Sequence, residues 1–389
     1  MFNNYLIKEF QKMETPFYYY DLNLLENTIN AAKKEADKYD FHVHYALKAN
    51  FNDRVLKTIC DAGFGADCVS GNEVLKAVEF GFDPNKIVFA GVGKADKEII
   101  AALENDIFAF NVESVQELEI INDLAKSRDK HARVALRINP NVDAQTHHYI
   151  TTGLEENKFG IKIWELDDCI NQLKSLNNIQ LIGIHFHVGS QITDLNVFKS
   201  LCIKVNELNT WFEERGHSLK VLNVGGGLGV DYHNPDENSI PDFKAYFSIF
   251  DQFLERRNDQ EVHFELGRAL VSQCGSLISK VLYVKKGLKK NFLILDAGMT
   301  ELMRPALYQA YHKVERLTTD EDTTTAKKLN YDVVGPICES SDCFAKEVLL
   351  PETFRNDLIA IRTAGAYGEV MASRYNLRDE IRYVYNDKI

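Results

Sequence analysis

The sequence predicts an α/β chain in which a (β/α)8 barrel is followed by a mainly β domain. Eight short apolar runs, rich in β-branched and aromatic residues, recur along residues 42–267, and helical patterns separate them. After about residue 270 the runs remain strand-like, but long helical patterns are no longer evident. A chain of 389 residues is long enough for about two domains. An open, doubly wound sheet is the alternative architecture for the first part.

The predicted barrel strands share a short apolar stretch bounded by turn residues. They are HVHYALK (42–48), FGADCV (64–69), KIVFAG (86–91), DIFAFNV (106–112), RVALRI (133–138), LIGIHFHVG (181–189), VLNVGG (221–226) and EVHFELG (261–267). The segment after the first strand has Val55, Leu56 and Ile59 at helical spacing and closes with Gly63, a typical end of a helix. Eight such strand–helix units predict a barrel over residues 23–270.

The second predicted domain covers residues 271–389. Its strand-like runs are SLISKVLYVKKG, NFLILDAG, YDVVGPICES and LIAIRTAGAY, with turn residues between them. The N-terminal run TPFYYYDL (15–22) is also strand-like and precedes the barrel. We therefore expect segment 1–22 to join the β domain from the other end of the chain.

Composition excludes several classes of partner. The net charge is −12 and there is no strongly basic block, so nucleic acid is not expected as a partner. No secretory start and no apolar run long enough for a bilayer are evident, so no membrane association is expected. The seven cysteines are scattered without CxxC pairs, which indicates the reducing cytoplasm and neither disulfides nor a zinc site.

Chemistry in such barrels lies at the carboxyl ends of the strands. The chain places there Lys48 after the first strand, His185, His187 and Ser190 after the sixth, Gly225–Gly229 after the seventh, and Glu265 with Arg268 after the eighth. GGGLGV lacks the GxGxxG spacing, but glycines after the seventh strand match the phosphate site of barrels; a tight turn is the alternative.

Lys48 has two interpretations. A lysine at a strand end usually reaches solvent. Near a phosphate site, its amine can instead bond covalently to pyridoxal phosphate. That cofactor also needs a group on its ring nitrogen, for which Glu265 is a candidate, and a flat group on its ring, for which His187 is a candidate.

Paired histidines raise the question of a metal. His42 with His44, and His185 with His187, have the His-x-His spacing. No carboxylate accompanies either pair in a recognised metal pattern. The sequence therefore predicts no metal site.

Nine segments carry a resemblance to a known family, in order from Tyr45 to Asn376. They are YALKAN, GADCVSGNE, GLEENKFGI, HFHVGSQI, NVGGGLGVDY, ELGRALV, DAGMTELMRPALYQAYH, GPICESSD and AGAYGEVMASRYN. On these segments the chain resembles the fold-type III pyridoxal-phosphate decarboxylases. The resemblance implies the two-domain architecture of alanine racemase and ornithine decarboxylase, with pyridoxal 5'-phosphate as cofactor.

The same resemblance implies a reaction and a substrate. The reaction is decarboxylation of meso-diaminopimelate to L-lysine and CO2, the last step of lysine biosynthesis. Arg304 suits a substrate with a carboxylate at each end, and Glu339 suits its ammonium group. Carboxynorspermidine, ornithine and arginine remain alternative substrates, and a non-catalytic relative that binds the cofactor is a further alternative.

Site roles follow from the resemblance residue by residue. Cofactor binding is implied for Lys48, Asp67, His187, Ser190, Gly225, Gly226, Gly227, Glu265 and Tyr367. Substrate binding is implied for Arg268, Arg304, Tyr308, Glu339 and Tyr367, and catalysis for Lys48, His187 and Cys338. Cys338 and Glu339 are expected to enter the active site of the other subunit of a homodimer.

Two positions depart from the family pattern. Leu266 stands where the family usually has proline, and Ser341 stands where it usually has glycine. Leu266 restores a backbone amide after Glu265. Ser341 is expected to crowd a position that favours positive φ. Both departures concern the geometry of loops beside functional residues and leave the reaction class unchanged.

Overall fold

The computed structural model describes residues 2–140, 158–319 and 327–389. Two compact units are present. The barrel unit comprises Ile29–Gly229 and Asp242–Ala269, and the β unit comprises Met1–Thr28, Val230–Pro241 and Leu270–Ile389. The domain limits of the sequence, 23–270 and 271–389 with 1–22 added, stay a prediction.

The elements of the described residues are as follows. The strands are β1 (Phe17–Tyr20), β2 (Phe41–Ala46), β3 (Gly65–Cys68), β4 (Ile87–Phe89), β5 (Ala109–Val112), β6 (Ala132–Arg137), β7 (Ile179–His185), β8 (Val221–Asn223), β9 (Glu261–Leu266), β10 (Gly275–Lys286), β11 (Asn291–Leu295), β12 (Val314–Leu317), β13 (Lys328–Val334), β14 (Cys343–Pro351), β15 (Leu358–Ile361) and β16 (Arg382–Tyr385). The α-helices are α1 (Asn4–Lys12), α2 (Leu22–Asp37), α3 (Asp53–Asp61), α4 (Gly71–Glu79), α5 (Asp96–Glu104), α6 (Val115–Lys126), α7 (Leu166–Leu173), α8 (Asn196–Glu214), α9 (Phe243–Phe253), α10 (Arg268–Val271) and α11 (Arg304–Tyr308).

The barrel unit contains the predicted closed barrel. Strands β2 to β9 are parallel and follow one another in chain order, and β9 pairs with β2 to close the ring. Each consecutive pair of strands is connected through one of the helices α3 to α9. Helix α3 buries Val55, Leu56 and Ile59 completely, as their spacing predicts. The (β/α)8 barrel is therefore confirmed, and the open sheet is wrong.

Polar caps start the barrel helices soon after the strands end. The side chains of Asn52, Ser70 and Ser114 accept hydrogen bonds from backbone amides in the first turns of α3, α4 and α6. Such caps satisfy amides that have no partner inside the helix. The caps fix where each helix begins, and so they limit the length of the loops that carry the strand-end residues.

Most predicted barrel strands extend further than the observed ones, and in three cases the difference concerns residues of the predicted site. β2 ends at Ala46, and Lys48 lies in the 3-10 turn Leu47–Ala49. β7 ends at His185 and β8 at Asn223, so the glycines follow in a loop. The apolar pattern continues past these ends because the loops are themselves buried; Phe186 and Val188 are fully buried.

The β unit is built on one sheet. Its strands follow the order β12-β15-β10-β11-β13-β14, and β1 pairs with both β10 and β16. The N-terminal strand is thus hydrogen-bonded to strands from the C-terminal part of the chain. Helix α1 contributes Ile7 and Phe10 to an apolar cluster with Phe17, Tyr19 and Ile278. Elements α1, β12, β14 and β16 were not predicted from the sequence.

Among the described residues, no helix combines the length and apolar character that crossing a bilayer requires.

Candidate active site

Lys48 lies beside a buried carboxylate. The register between β2 and β3 sets Ala46 opposite Asp67, and the Nζ atom of Lys48 lies 3.0 Å from Oδ2 of Asp67. Asp67 is completely buried, whereas the Lys48 side chain is 36% exposed. Burial, and next the charge of Glu265, raise the pKa of Asp67 to about 6 against the opposing effect of Lys48. The amine is therefore held at the strand end by an acceptor and retains an open side.

Glu265 is held by donors from three other strands. Asn111 and Asn223 donate to its Oε1 atom at 2.9 and 2.8 Å. His185 donates from Nε2 to Oε2 at 2.9 Å. Burial raises the pKa of Glu265, but the charge and hydrogen bond of His185, and then the charge of Lys48, outweigh it. The pKa is held well below its usual value, so the carboxylate is ionised.

Sequence reasoning missed the two asparagines that hold Glu265. Each is a polar residue within an apolar strand, Asn111 in β5 and Asn223 in β8. Both are almost fully buried. Polar residues at such positions need a partner, and that requirement was the available signal. The sequence placed His185 at the carboxyl end of the sixth strand and in a His-x-His pair with His187, but it gave His185 no role toward Glu265.

The glycine loop after β8 lies against the backbone of its neighbours. A Cβ atom at Gly225 would come within 2.1 Å of the Phe186 carbonyl oxygen, and one at Gly226 within 1.9 Å of the Glu265 carbonyl oxygen. Gly225 and Gly227 have φ values of +71° and +113°. The side chain of Asn223 accepts a hydrogen bond from the Gly225 amide at 2.9 Å. Glycine is therefore required by the tight path of the loop, and the loop presents bare backbone.

His187, Ser190 and Arg268 also belong to the barrel unit. Burial, and then the charges of Arg137 and Lys48, lower the pKa of His187 to about 3, so its ring is neutral at neutral pH. Ser190 Oγ accepts hydrogen bonds from Nε and Nη2 of Arg268 at 3.2 and 3.0 Å. Arg137 forms a further buried pair with Glu113, at 2.5 Å, which the sequence did not single out.

Arg304, Tyr308 and Tyr367 belong to the β unit. Arg304 and Tyr308 begin and end α11. The Nη1 atom of Arg304, which is buried, donates to the Tyr232 hydroxyl at 3.0 Å and to Nε2 of His312 at 2.9 Å. Tyr367 has a φ of +56°. A bulky residue in the left-handed region is uncommon and often marks a functional position.

Cys338 and Glu339 lie exposed on the loop between β13 and β14 of the β unit. The Cys338 amide donates to Oδ1 of Asn376 at 3.2 Å, and Glu339 accepts from the Tyr375 hydroxyl at 2.7 Å. Ser341 does not adopt positive φ, so the expectation that it is crowded there is wrong. Its neighbour Asp342 fixes the loop by accepting hydrogen bonds from backbone amides.

The predicted residues thus fall into two sets. The barrel unit brings together Lys48, Asp67, His187, Ser190, the glycine loop, Glu265 and Arg268, and the β unit contains Arg304, Tyr308, Cys338, Glu339 and Tyr367. The segment GLEENKFGI, residues 153–161, lies partly outside the described residues.

The barrel set fits pyridoxal phosphate. It offers a lysine amine, an ionised buried carboxylate for a ring nitrogen, and a bare glycine loop at the carboxyl end of the strands. The Oδ1 atom of Asp67 is buried and accepts no hydrogen bond from the described residues. Fold and site together define a barrel-type pyridoxal-phosphate enzyme.

Comparisons with known proteins specify the family. A family model described as "Pyridoxal-dependent decarboxylase, pyridoxal binding domain" matches residues 22–272. A diaminopimelate decarboxylase from Bacteroides thetaiotaomicron is 57% identical over 96% of this chain and 96% of its own length. The chain therefore belongs to the diaminopimelate decarboxylase family of pyridoxal-dependent decarboxylases.

Solved structures are similar as well. A diaminopimelate decarboxylase from Helicobacter pylori, complexed with L-lysine, has a TM-score of 0.91 at 40% identity, covering 98% of this chain and 94% of that one. An arginine decarboxylase from Paramecium bursaria Chlorella virus has a TM-score of 0.87 at 23% identity, covering 98% of this chain and 100% of that one. The latter shows the fold alone.

Proposed function

We propose that the chain decarboxylates meso-2,6-diaminopimelate to L-lysine and CO2 with pyridoxal 5'-phosphate. The observation that carries this proposal is the 57% identity to a diaminopimelate decarboxylase across 96% of both chains. The Lys48–Asp67 pair and the ionised Glu265 support it, because they supply the groups that the cofactor requires. The related Helicobacter pylori enzyme was complexed with L-lysine, the product of this reaction.

Lys48 and Glu265 are assigned to the cofactor. When bound, pyridoxal phosphate supplies an electron sink for the bond between the substrate's α-carbon and its departing carboxylate. We assign the covalent attachment to Nζ of Lys48, with Asp67 orienting that amine. Glu265, kept ionised by its three donors, holds a proton on the ring nitrogen and so maintains the sink.

Other residues of the barrel unit and Tyr367 complete the cofactor site. Neutral His187 can lie against the ring without repelling a positively charged nitrogen. Ser190 and Gly225–Gly227 are assigned to the phosphate side, where bare amides can approach the phosphate oxygens. Tyr367 is assigned to the phosphate as well, and its left-handed backbone supports a functional position.

The carboxylate that does not react requires positive charge and hydrogen-bond donors. Arg268, Arg304 and Tyr308 are assigned to it, since an arginine fork matches a carboxylate. Both arginines are buried, and a buried guanidinium provides a strong, oriented charge. Glu339 is assigned to the distal ammonium of the substrate.

Proton return is assigned to Cys338 of the partner subunit in a homodimer. After the carboxylate leaves as CO2, the α-carbon must receive a proton. A thiol is a suitable proton donor. Exposure of Cys338 and Glu339 in the single chain supports a role in a second subunit. A location in the cytoplasm stays a prediction from the scattered cysteines.

The test compares four substrates in one assay. Purified protein with pyridoxal phosphate is offered meso-diaminopimelate, L-ornithine, L-arginine and carboxynorspermidine, and CO2 and amine products are measured. We expect lysine and CO2 from meso-diaminopimelate alone. Turnover of another substrate instead would contradict the roles of Arg304 and Glu339. Cofactor binding without any turnover would favour the non-catalytic alternative.

A further inference from the structure

A second cluster of ionisable side chains lies at the amino-terminal ends of the barrel strands. It comprises His42 of β2 together with Glu261 and His263 of β9. β2 and β9 are the first and last barrel strands, and their pairing sets His42 opposite His263. One ligand atom from each of the three side chains lies within 4.8 Å of the others.

The cluster opens into a cavity of about 480 Å³ in the barrel unit. Asp37 and Asp40 line the same cavity and add negative charge, and Lys33 and Lys86 oppose it. Both lysines are already engaged, since Nζ of Lys33 lies 3.6 Å from the Asp37 carboxylate and the Nζ atom of Lys86 donates to the Gly63 carbonyl. None of the residues assigned to the active site lines this cavity.

Hydrogen bonds orient His263 with one ring nitrogen directed at Glu261. Nδ1 of His44 lies 2.9 Å from the Lys86 carbonyl oxygen, which only accepts, so that nitrogen donates. Nε2 of neutral His44 then accepts from Nδ1 of His263, at 2.7 Å. Nε2 of His263 consequently faces the Glu261 carboxylate, 2.9 Å away. A cation bound at this point would contact both atoms.

This arrangement matches the pattern of metal-ligating histidines. Such a histidine donates its other ring N–H to an acceptor that fixes the tautomer and the ring orientation, as His263 does to His44. Ligands at about 2.0–2.2 Å from one tetrahedral zinc ion are roughly 3.3–3.6 Å apart. The 2.9 Å between Nε2 of His263 and the Glu261 carboxylate is slightly shorter, so the two atoms must separate a little to admit the ion. The Glu261 side chain is 50% exposed, so it can rotate to bring the three atoms closer.

We propose that His42, Glu261 and His263 form a binding site for a divalent transition-metal ion of the zinc type. The ion joins β2 to β9 at the seam that closes the barrel. Two imidazoles and a carboxylate are a donor set that zinc uses. The sequence prediction of no metal rested on the lack of a carboxylate near His42 and His44, whereas barrel closure brings Glu261 from the far end of the domain.

The site lies at the opposite end of the strands from Lys48 and Glu265. β2 leads into the turn with Lys48, and β9 carries Glu265. In such barrels, catalytic residues lie at the carboxyl ends of the strands, whereas residues at the amino ends contribute to stability. The expected consequence of metal binding is thus a more stable seam, with no direct part in decarboxylation.

The test uses the holoenzyme after removal of metals by a chelator. Co²⁺ is titrated and followed by its visible absorption, and Zn²⁺ is titrated in competition with a coloured chelator. We expect saturable binding of a single ion per chain, weakened at least about tenfold by Glu261→Gln and by His42→Gln. Zn²⁺ should also raise the unfolding temperature of the unsubstituted enzyme but not that of the Glu261→Gln variant.

Two control variants separate this site from other ligands. His131→Gln removes an exposed histidine outside the cluster, and Cys338→Ser removes the exposed thiol. Both should bind the ion as the unsubstituted enzyme does. The proposal is overturned by the absence of saturable binding, by binding that persists in both cluster variants, or by binding that Cys338→Ser abolishes.

Discussion

Replacing Glu265 with glutamine should separate the charge of this residue from its shape. The carbonyl oxygen of the introduced amide can still accept from Asn111 and Asn223, as Oε1 of Glu265 does. The NH2 group of that amide then faces the N–H of His185, and two donors cannot form a hydrogen bond with each other. Such a mismatch costs about 1–3 kcal/mol of stability.

The larger expected effect of Glu265→Gln is on turnover. A hydrogen bond to a charged group is worth about 1.5–3 kcal/mol. If the transition state loses a stabilisation of that size, kcat falls roughly 10- to 150-fold. The measurement is kcat with saturating meso-diaminopimelate, expressed per bound cofactor, because the absorbance of pyridoxal phosphate reports occupancy.

A matched control lies on helix α8. Glu214→Gln makes the same chemical change at an exposed residue of the barrel unit, outside the assigned active site. It should leave kcat within about twofold of the unsubstituted value, because that position lacks contact with the reacting groups. A Glu265→Gln enzyme that holds its cofactor and retains kcat within about threefold would refute the role of the carboxylate charge.

Three further predictions concern the remaining assignments. Lys48→Ala should abolish turnover while the circular dichroism of the fold is retained; full activity would contradict covalent attachment. Cys338→Ala should slow product formation far more than cofactor binding. If the sites are shared, equal mixing of Lys48→Ala and Cys338→Ala subunits should restore about a quarter of the activity, since half of the dimers are hybrids with one intact site; no recovery after exchange places both residues in one subunit. In the apoprotein, the His187 pKa of about 3 lies below the unfolded value of about 6.5, so stability is lost as pH falls below about 6.5. His187→Asn should reduce the dependence of the free energy of unfolding on pH, by at most about 1.4 kcal/mol per pH unit. The measurement is urea unfolding at pH 7 and pH 5. An unchanged dependence would show that this ring does not titrate as inferred.

The strand order of the barrel was predictable because each strand is a local signal. Short β-branched runs separated by amphipathic helices need no knowledge of distant contacts. Residues at strand ends could then be assigned to one face, which is how Lys48 and Glu265 were found. Strands β12, β14 and β16 lie in a sheet with exposed faces and edges, and their sequences carry a weaker pattern.

Contacts made only by barrel closure were not predictable. Asn111 and Asn223 meet Glu265 from strands far away in the sequence. Glu261 meets His42 only because the last strand pairs with the first. A search for spacing within one segment cannot find such pairs, although a polar residue in an apolar strand indicates that a partner exists.

The two departures from the family pattern have local explanations. Leu266 is the last residue of β9 and is paired in register with Tyr45 of β2, so the strand continues where a proline would remove a donor. Ser341 avoids positive φ, and Asp342 fixes the loop through its carboxylate. Neither residue replaces a group that the assigned chemistry uses.

The charge of Glu265 depends on the closed barrel. Its carboxylate is buried, and burial alone would favour the protonated form. The donors that reverse this come from β5, β7 and β8, so they converge only when the strands have joined in order. Separation of β7 from β8 would remove one donor and admit water, and the pKa would return toward its ordinary value. Closure of the barrel therefore creates the ionised carboxylate that is assigned to the ring nitrogen of the cofactor.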